Sequence, residues 1–206
     1  MNQELNQELN KELVSKLMAM PGEARGVVFK TDSDYVLQKM GEAGLKKLEE
    51  ELVVLGCPID YKKVVVLSFY PIGLRVISLL AIKKVFSFND DQIKEIGLFA
   101  SKTSLMLKLF INFFISPRKV FFEEAPKIWH KHYPDGELCP VEFNEEKKYA
   151  IVQIKNYQLY PIFCLYLGSY FCGFFHLLIK SPTITFEETK CVSRGDEYHE
   201  FIIKWQ

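Results

Sequence analysis

The stretch Thr183-Ile-Thr-Phe-Glu-Glu-Thr-Lys-Cys191-Val-Ser-Arg-Gly195-Asp-Glu-Tyr-His199-Glu-Phe-Ile-Ile-Lys-Trp205 reads as a β-hairpin. Thr183–Val192 and Glu197–Trp205 are rich in Thr, Ile, Phe, Val and Trp, and Ser193-Arg194-Gly195-Asp196 between them is turn chemistry. A turn centred on Gly195 sets Cys191 across from His199, with Cβ atoms about 4.5–5.5 Å apart. His199, Phe201, Ile203 and Trp205 then share one face, and Tyr198, Glu200, Ile202 and Lys204 the other. The first face is the more apolar and is expected to lie against a helix. Glu188 stands three residues before Cys191, so in a regular strand it points away. Only a bulge or a strand end brings it to the same side.

Working towards the N-terminus, Ser181-Pro182 stops a helix expected over Tyr160–Ile179. Before it, Leu138–Asn144 and Lys148–Lys155 read as two strands joined by the charged turn Glu145-Glu146-Lys147. The C-terminal order is therefore strand–strand–helix–strand–strand. The part before Tyr133 reads as mostly helical. This pattern predicts an α+β fold, a helical N-terminal half packed on a C-terminal antiparallel sheet. In the helical half, Gly26–Lys30 reads as a short strand. Asp32, Ser33 or Asp34 is expected to cap a helix from Tyr35 to about Val54. The apolar runs Val64–Ile82 and Leu98–Phe122 read as buried helices, Asn89-Asp90-Asp91 as a cap, and Pro117–Tyr133 as a further helix. Residues 1–20 form a helical extension with leucines every four residues, and 21–206 a single domain. The leucine stripe is either an amphipathic extension or a docking surface for a partner protein or a second copy.

Equal numbers of cationic and anionic residues, 26 each in 206, leave no bulk charge to hold nucleic acid. Tyr157–Ile179 lacks Asp, Glu, Lys and Arg altogether and has the length of a membrane span. Its Pro161, Gly168, Gly173, His176 and tyrosines make a buried helix of a large core the expected reading, with no transmembrane span. Five scattered cysteines and no signal-peptide pattern point to a reducing cytoplasm.

Cys191 and His199 across the hairpin, Glu188 beside them and Cys164 on the preceding helix form a set of thiolate, imidazole and carboxylate donors that suits zinc. From spacing alone, a buried thiol and a surface histidine account for the pair more simply. The residues Cys164-Leu-Tyr-Leu-Gly-Ser169-Tyr170-Phe-Cys-Gly173, then Glu188-Thr-Lys-Cys191, then Gly195-Asp196-Glu-Tyr-His199 resemble the C-terminal half of sensory domains of the 4-vinyl reductase type. That family shares a fold with haem–nitric oxide binding domains and TRAPP trafficking subunits. The resemblance implies a structural zinc site at Cys164, Glu188, Cys191 and His199, with His199 replacing a cysteine of the family. Ser169 stands where the family has a glycine, and is small enough to keep the helix close to the sheet.

The resemblance also implies a cavity for a hydrophobic small molecule between the helical half and the sheet. Its expected walls are the helix Tyr160–Ile179 and the segments Leu67–Leu80 and Leu105–Phe114, with Phe110, Phe113, Phe114, Tyr166, Tyr170 and Phe174 at the guest. Haem is not expected, because the chain has no Tyr-x-Ser-x-Arg motif, and His130 and His132 read as surface residues at a helix end. Cys172 and His176, four apart, read as part of a core stripe. No nucleophile elbow, phosphate-binding loop or nicotinamide fingerprint is present. The expectation is a binding or sensory module, as a homodimer or with a partner protein, rather than an enzyme. The rivals are a protein-interaction module and a small reductase acting on an apolar substrate.

Overall fold

The computed structural model describes residues 9–104 and 116–206. The helical half contains α1 (Lys11–Met18), α2 (Val27–Val54), α3 (Ile72–Phe86) and α4 (Asp90–Thr103). A small antiparallel ribbon of β1 (Glu23–Arg25) and β2 (Phe69–Pro71) joins them. After residue 116 come α5 (Pro117–Lys119), a π-helical turn (Val120–Glu124) and α6 (Ala125–His132). Then follow β3 (Glu137–Asn144), β4 (Tyr149–Lys155), α7 (Pro161–Leu178), β5 (Ile184–Lys190) and β6 (His199–Trp205). The last four strands form one antiparallel sheet in the order β3-β4-β6-β5. The fold is α+β, as the element order predicts.

Local chemistry explains most boundaries. Pro161 opens α7, where its missing N–H costs nothing. Asn89 starts α4 with a reciprocal cap: its Oδ1 accepts from Gln92 N at 3.0 Å, while Gln92 Oε1 accepts from Asn89 N at 2.9 Å. His199, Phe201 and Ile203 are buried on the helix side of β6, and the Trp205 ring stacks on Phe175 of α7 at 5.7 Å. Four successive alternate residues therefore turn towards α7, as the period-two pattern requires.

Small residues let α7 sit close to its neighbours. A Cβ on Gly97 of α4 would lie 2.2 Å from the Tyr166 carbonyl oxygen and from Ser169 Oγ. Ser169 therefore faces α4. It is Gly168 that meets the sheet, against the Phe186 ring, and this corrects the expected role of Ser169. Gly97→Ala is expected to lower stability by about 2 kcal/mol, the cost of overpacking less the gain in helix propensity. That corresponds to a melting temperature about 4–8 °C lower in a calorimetric scan. An unchanged melting temperature would mean that the two helices are not so close.

The helical half departs from the sequence reading in three places. The strand ends at Arg25, and Gly26–Lys30 belongs to the start of α2. Asp32 and Ser33 do not cap a helix; they are buried within α2, where Asp32 pairs with Arg75. The run from Val64 is not one buried helix, because Val65, Val66, Leu67 and Phe69 are exposed and α3 starts only at Ile72. This segment lies across the start of α2: Gly26 N donates to Ser68 O at 2.7 Å and Val27 N to Val66 O at 3.0 Å. The Leu98–Phe122 run is described only as far as Ser104 and from Ser116 onwards.

Leu9, Leu13, Val14 and Leu17 are buried, and α1 packs on α3, where Gly73 admits the Leu17 carbonyl. The described part of the leucine stripe is thus occupied within the chain. α7 has the length and hydropathy of a membrane span, yet 67% of its span-length window is buried inside the fold.

Candidate functional site

The final hairpin and the start of α7 bring four metal-binding side chains together. One donor atom from each of Cys164, Glu188, Cys191 and His199 lies within 4.8 Å of all the others. Cys164 and Cys191 are 3% and 2% exposed and His199 is fully buried, so water is largely excluded. Cys164 comes from the first turn of α7. His199 starts β6, and its Nδ1 sits 3.6 Å from Cys164 Sγ and 3.4 Å from Glu188 Oε1. The other ring nitrogen, Nε2, is buried with no partner among the described residues.

Glu188 reaches the cluster through a bulge. Lys190 pairs with Glu200, but Glu188 pairs with Phe201, leaving Thr189 as an extra residue in β5. That shift puts Glu188 on the His199 side. Cys191 is held by the turn itself. Its N–H donates to Asp196 Oδ2 at 2.7 Å, and its carbonyl accepts from Arg194 N at 2.9 Å and Asp196 N at 3.2 Å. Gly195, at φ +94°, closes this knuckle in a conformation that glycine alone takes readily.

The cluster is acidic in the chemical sense. Contact with the Cys164 thiol, helped by His199 and Ser193, brings Cys191 down to about 3. The same contact, and then burial, push Cys164 well above the ordinary thiol range. Burial works against a charged His199, but the Cys191 and Glu188 anions outweigh it and raise the imidazole. Thiol ligands bind metal in deprotonated form, so the lowered range of Cys191 suits a metal donor. Arg194 Nη1, 3.5 Å from Glu188 Oε2, offsets part of the negative charge.

The second feature is a cavity of about 550 Å³ between the helices and the sheet. Tyr166, Leu167, Tyr170, Phe171, Phe174 and Phe175 of α7 form one wall, and Val28 and Thr31 of α2 another. Phe121, Ile128, Trp129, His132 and Tyr133 face them, with Leu138 and Val152 from the sheet. Tyr166, Tyr170 and Phe174 are thus placed at the cavity, whereas Phe110, Phe113 and Phe114 lie outside the described residues. Leu67 and Val66 reach the rim; the rest of the Leu67–Leu80 segment does not line it. Arg25, Lys30, Trp129 and His132 are wall residues that the sequence reading did not assign.

His130 is exposed, but His132 is half-buried, which corrects the reading of both as surface residues. The His132 Nδ1–H donates to the Ile128 carbonyl at 2.9 Å, and burial holds the imidazole below its usual range. The free lone pair is then on Nε2. Cys172 is buried in the core while His176 is exposed, so the two make no joint site.

Behind the Tyr166 wall lies a buried ion pair. Arg75 of α3 donates to Asp32 Oδ2 of α2, both side chains being fully inaccessible. Ser78 Oγ donates to the same oxygen at 2.6 Å, and the Tyr61 hydroxyl lies 2.8 Å from Ser78 Oγ. The guanidinium stacks 4.5 Å from the centre of the Tyr166 ring.

No protein-family model matches the chain, and no curated protein matches it. Solved structures do. An H-NOX protein from S. oneidensis in its Fe(II)NO ligation state superposes with a TM-score of 0.66 at 14% identity, over 88% of this chain and 99% of that one. Fe(II) unliganded H-NOX from K. algicida gives 0.62 at 14%, over 88% and 96%. A structure from work on haem distortion in the H-NOX family gives 0.62 at 15%, over 88% and 95%. At such identities the likeness establishes the fold, which is the H-NOX fold and agrees with the superfamily inferred from the sequence. It does not single out the 4-vinyl reductase type within that superfamily, and the neighbours' names say nothing of zinc. The likeness also overturns the expectation that haem has no place here. Neighbours with this architecture hold Fe(II), and a missing short motif does not by itself exclude haem.

Proposed function

We propose that this chain is a sensory domain that takes a hydrophobic small molecule into the cavity between its helices and its sheet. The cavity carries the reading: about 550 Å³ falls inside the range of small-molecule sites, and its walls are mainly aromatic and aliphatic. Within the superfamily we assign it to the 4-vinyl reductase type, on the Cys164, Glu188, Cys191 and His199 cluster. We propose that this cluster holds a structural zinc ion that ties the final hairpin to α7. Four protein donors leave no open position for catalysis. Residues 21–206 would form the binding domain, with α1 as an N-terminal element packed against it, in the cytoplasm, consistent with five free cysteines.

Haem is one candidate guest, and the residues present fit it. His132 lines the cavity with Nε2 as its free donor, and Arg25 stands on the wall as a cation for a carboxylate group. When bound, such a group supplies an iron that a diatomic gas can ligate, as in the nitric-oxide-ligated neighbour. His132 would hold the group, and the aromatic wall of α7 would exclude water from it.

The test is titration of the purified chain with haemin, followed by absorbance, and with N-phenyl-1-naphthylamine, followed by fluorescence. Saturable one-to-one binding of at least one is expected, weakened about tenfold or more by Leu167→Trp, which fills the cavity. If neither compound binds, the cavity is not a ligand site and the reading falls.

A further inference from the structure

Arg25 is the unusual residue of the cavity wall. It is half-buried at the end of β1, and no ion pair to it is found among the described residues. Its Nη1 donates to the Lys131 backbone carbonyl at 3.3 Å, a neutral acceptor, and its Nε is buried with no acceptor. A buried guanidinium Nε–H that lacks an acceptor gains most from a charged partner such as a carboxylate. A second unsatisfied donor lines the same cavity. Trp129, on the same helix as Lys131 and two residues before it, lines the cavity, is 6% exposed, and has an indole Nε1 without an acceptor.

The one carboxylate on the wall, Asp34, is already paired with Lys30, so it does not neutralise Arg25.

We propose that Arg25 and Trp129 form a carboxylate subsite at the rim of the cavity, so that the guest is an apolar molecule bearing a carboxylate. The inference rests on the reading of the cavity as a ligand site and names the class of ligand it takes. The carboxylate accepts from Arg25 and from Trp129 Nε1, and the apolar body lies along Leu167, Phe171 and Phe174. Fatty acids and tetrapyrroles with propionate groups share this chemistry.

Two matched pairs separate these sources: dodecanoate with dodecan-1-ol, and haemin with its dimethyl ester. Binding to the full chain is measured by calorimetry for the first pair and by absorbance for the second. In at least one pair the acid is expected to bind about tenfold tighter or more than its neutral partner, the gain of a hydrogen bond to a charged group. The pair that shows the difference identifies the source. Arg25→Gln is expected to bring the acid down to its neutral partner, whose own binding stays unchanged. Trp129→Phe is expected to weaken only the acid, about threefold. If Arg25→Gln does not fold, as judged by circular dichroism, Trp129→Phe and Arg25→Lys carry the test, with Arg25→Lys retaining part of the discrimination. Equal binding of acid and neutral partner in both pairs overturns the subsite and leaves the cavity reading standing. Failure of all four compounds to bind overturns both.

Discussion

Elemental analysis of the purified protein is expected to find about one Zn²⁺ per chain, and Cys191→Ser to remove it. The loss should lower stability by about 3 kcal/mol or more, because the three remaining donors hold the metal more weakly than four and the emptied cluster leaves polar and charged groups largely out of water. The effect should spread beyond the turn. Cys164 anchors α7, and α7 packs on both the sheet and α4, so its loosening reaches the cavity wall. A strong chelator should reproduce the effect in the native protein. Cys172→Ser is the control, since that thiol is buried on the same helix outside the cluster and should leave the zinc content unchanged. A chain that is metal-free as purified and unfolds at the same temperature with and without chelator would remove zinc from the account.

The second large effect concerns Arg75. Arg75→Met is expected to cost about 3–5 kcal/mol in urea denaturation, since it leaves the Asp32 carboxylate buried without its counter-charge. Replacing both partners, Arg75→Met with Asp32→Leu, should recover most of that loss, because no uncompensated charge then remains. The comparison separates charge from packing. If the double variant is as unstable as the single one, the stacking of the guanidinium on Tyr166 and its shape matter more than the ion pair. A cost below about 1 kcal/mol for Arg75→Met would mean that the pair is hydrated rather than dry.

The C-terminal half was legible because its signals are local. Gly195 fixes the turn, the alternation of His199, Phe201, Ile203 and Trp205 fixes the face, and Pro161 and Pro182 bracket the helix. The register placed Cys191 across from His199, the family resemblance added Cys164 and Glu188, and the bulge that Glu188 required is supplied at Thr189, where Glu188 pairs with Phe201. The helical half was less legible. Asp32 and Ser33 have the residue types of a helix cap, and only the arrival of Arg75 from 43 positions away turns Asp32 into a buried partner. Arg25 and Trp129 escaped for the same reason. Arg25 meets the α6 backbone across 106 positions, and no periodic pattern reports such a meeting. Tyr166, Tyr170 and Phe174 were accessible to inference only through the family resemblance, because composition alone does not tell a filled core from a cavity.

The bulge at Thr189 makes the metal cluster a matter of parity. Counted along the chain, Glu188 and Cys191 are an odd number of residues apart. Counted in the pleats of the sheet, they are an even number, because Thr189 occupies a residue without occupying a pairing position. A chain that lost Thr189 would keep both donors on one side by ordinary alternation, with a flatter strand. A chain that gained one more paired residue between them would send the Glu188 carboxylate to the opposite face of the sheet, although every donor type were still present. In this hairpin, therefore, length drift is asymmetric: one deletion is silent for the donor set, whereas the corresponding insertion dismantles it.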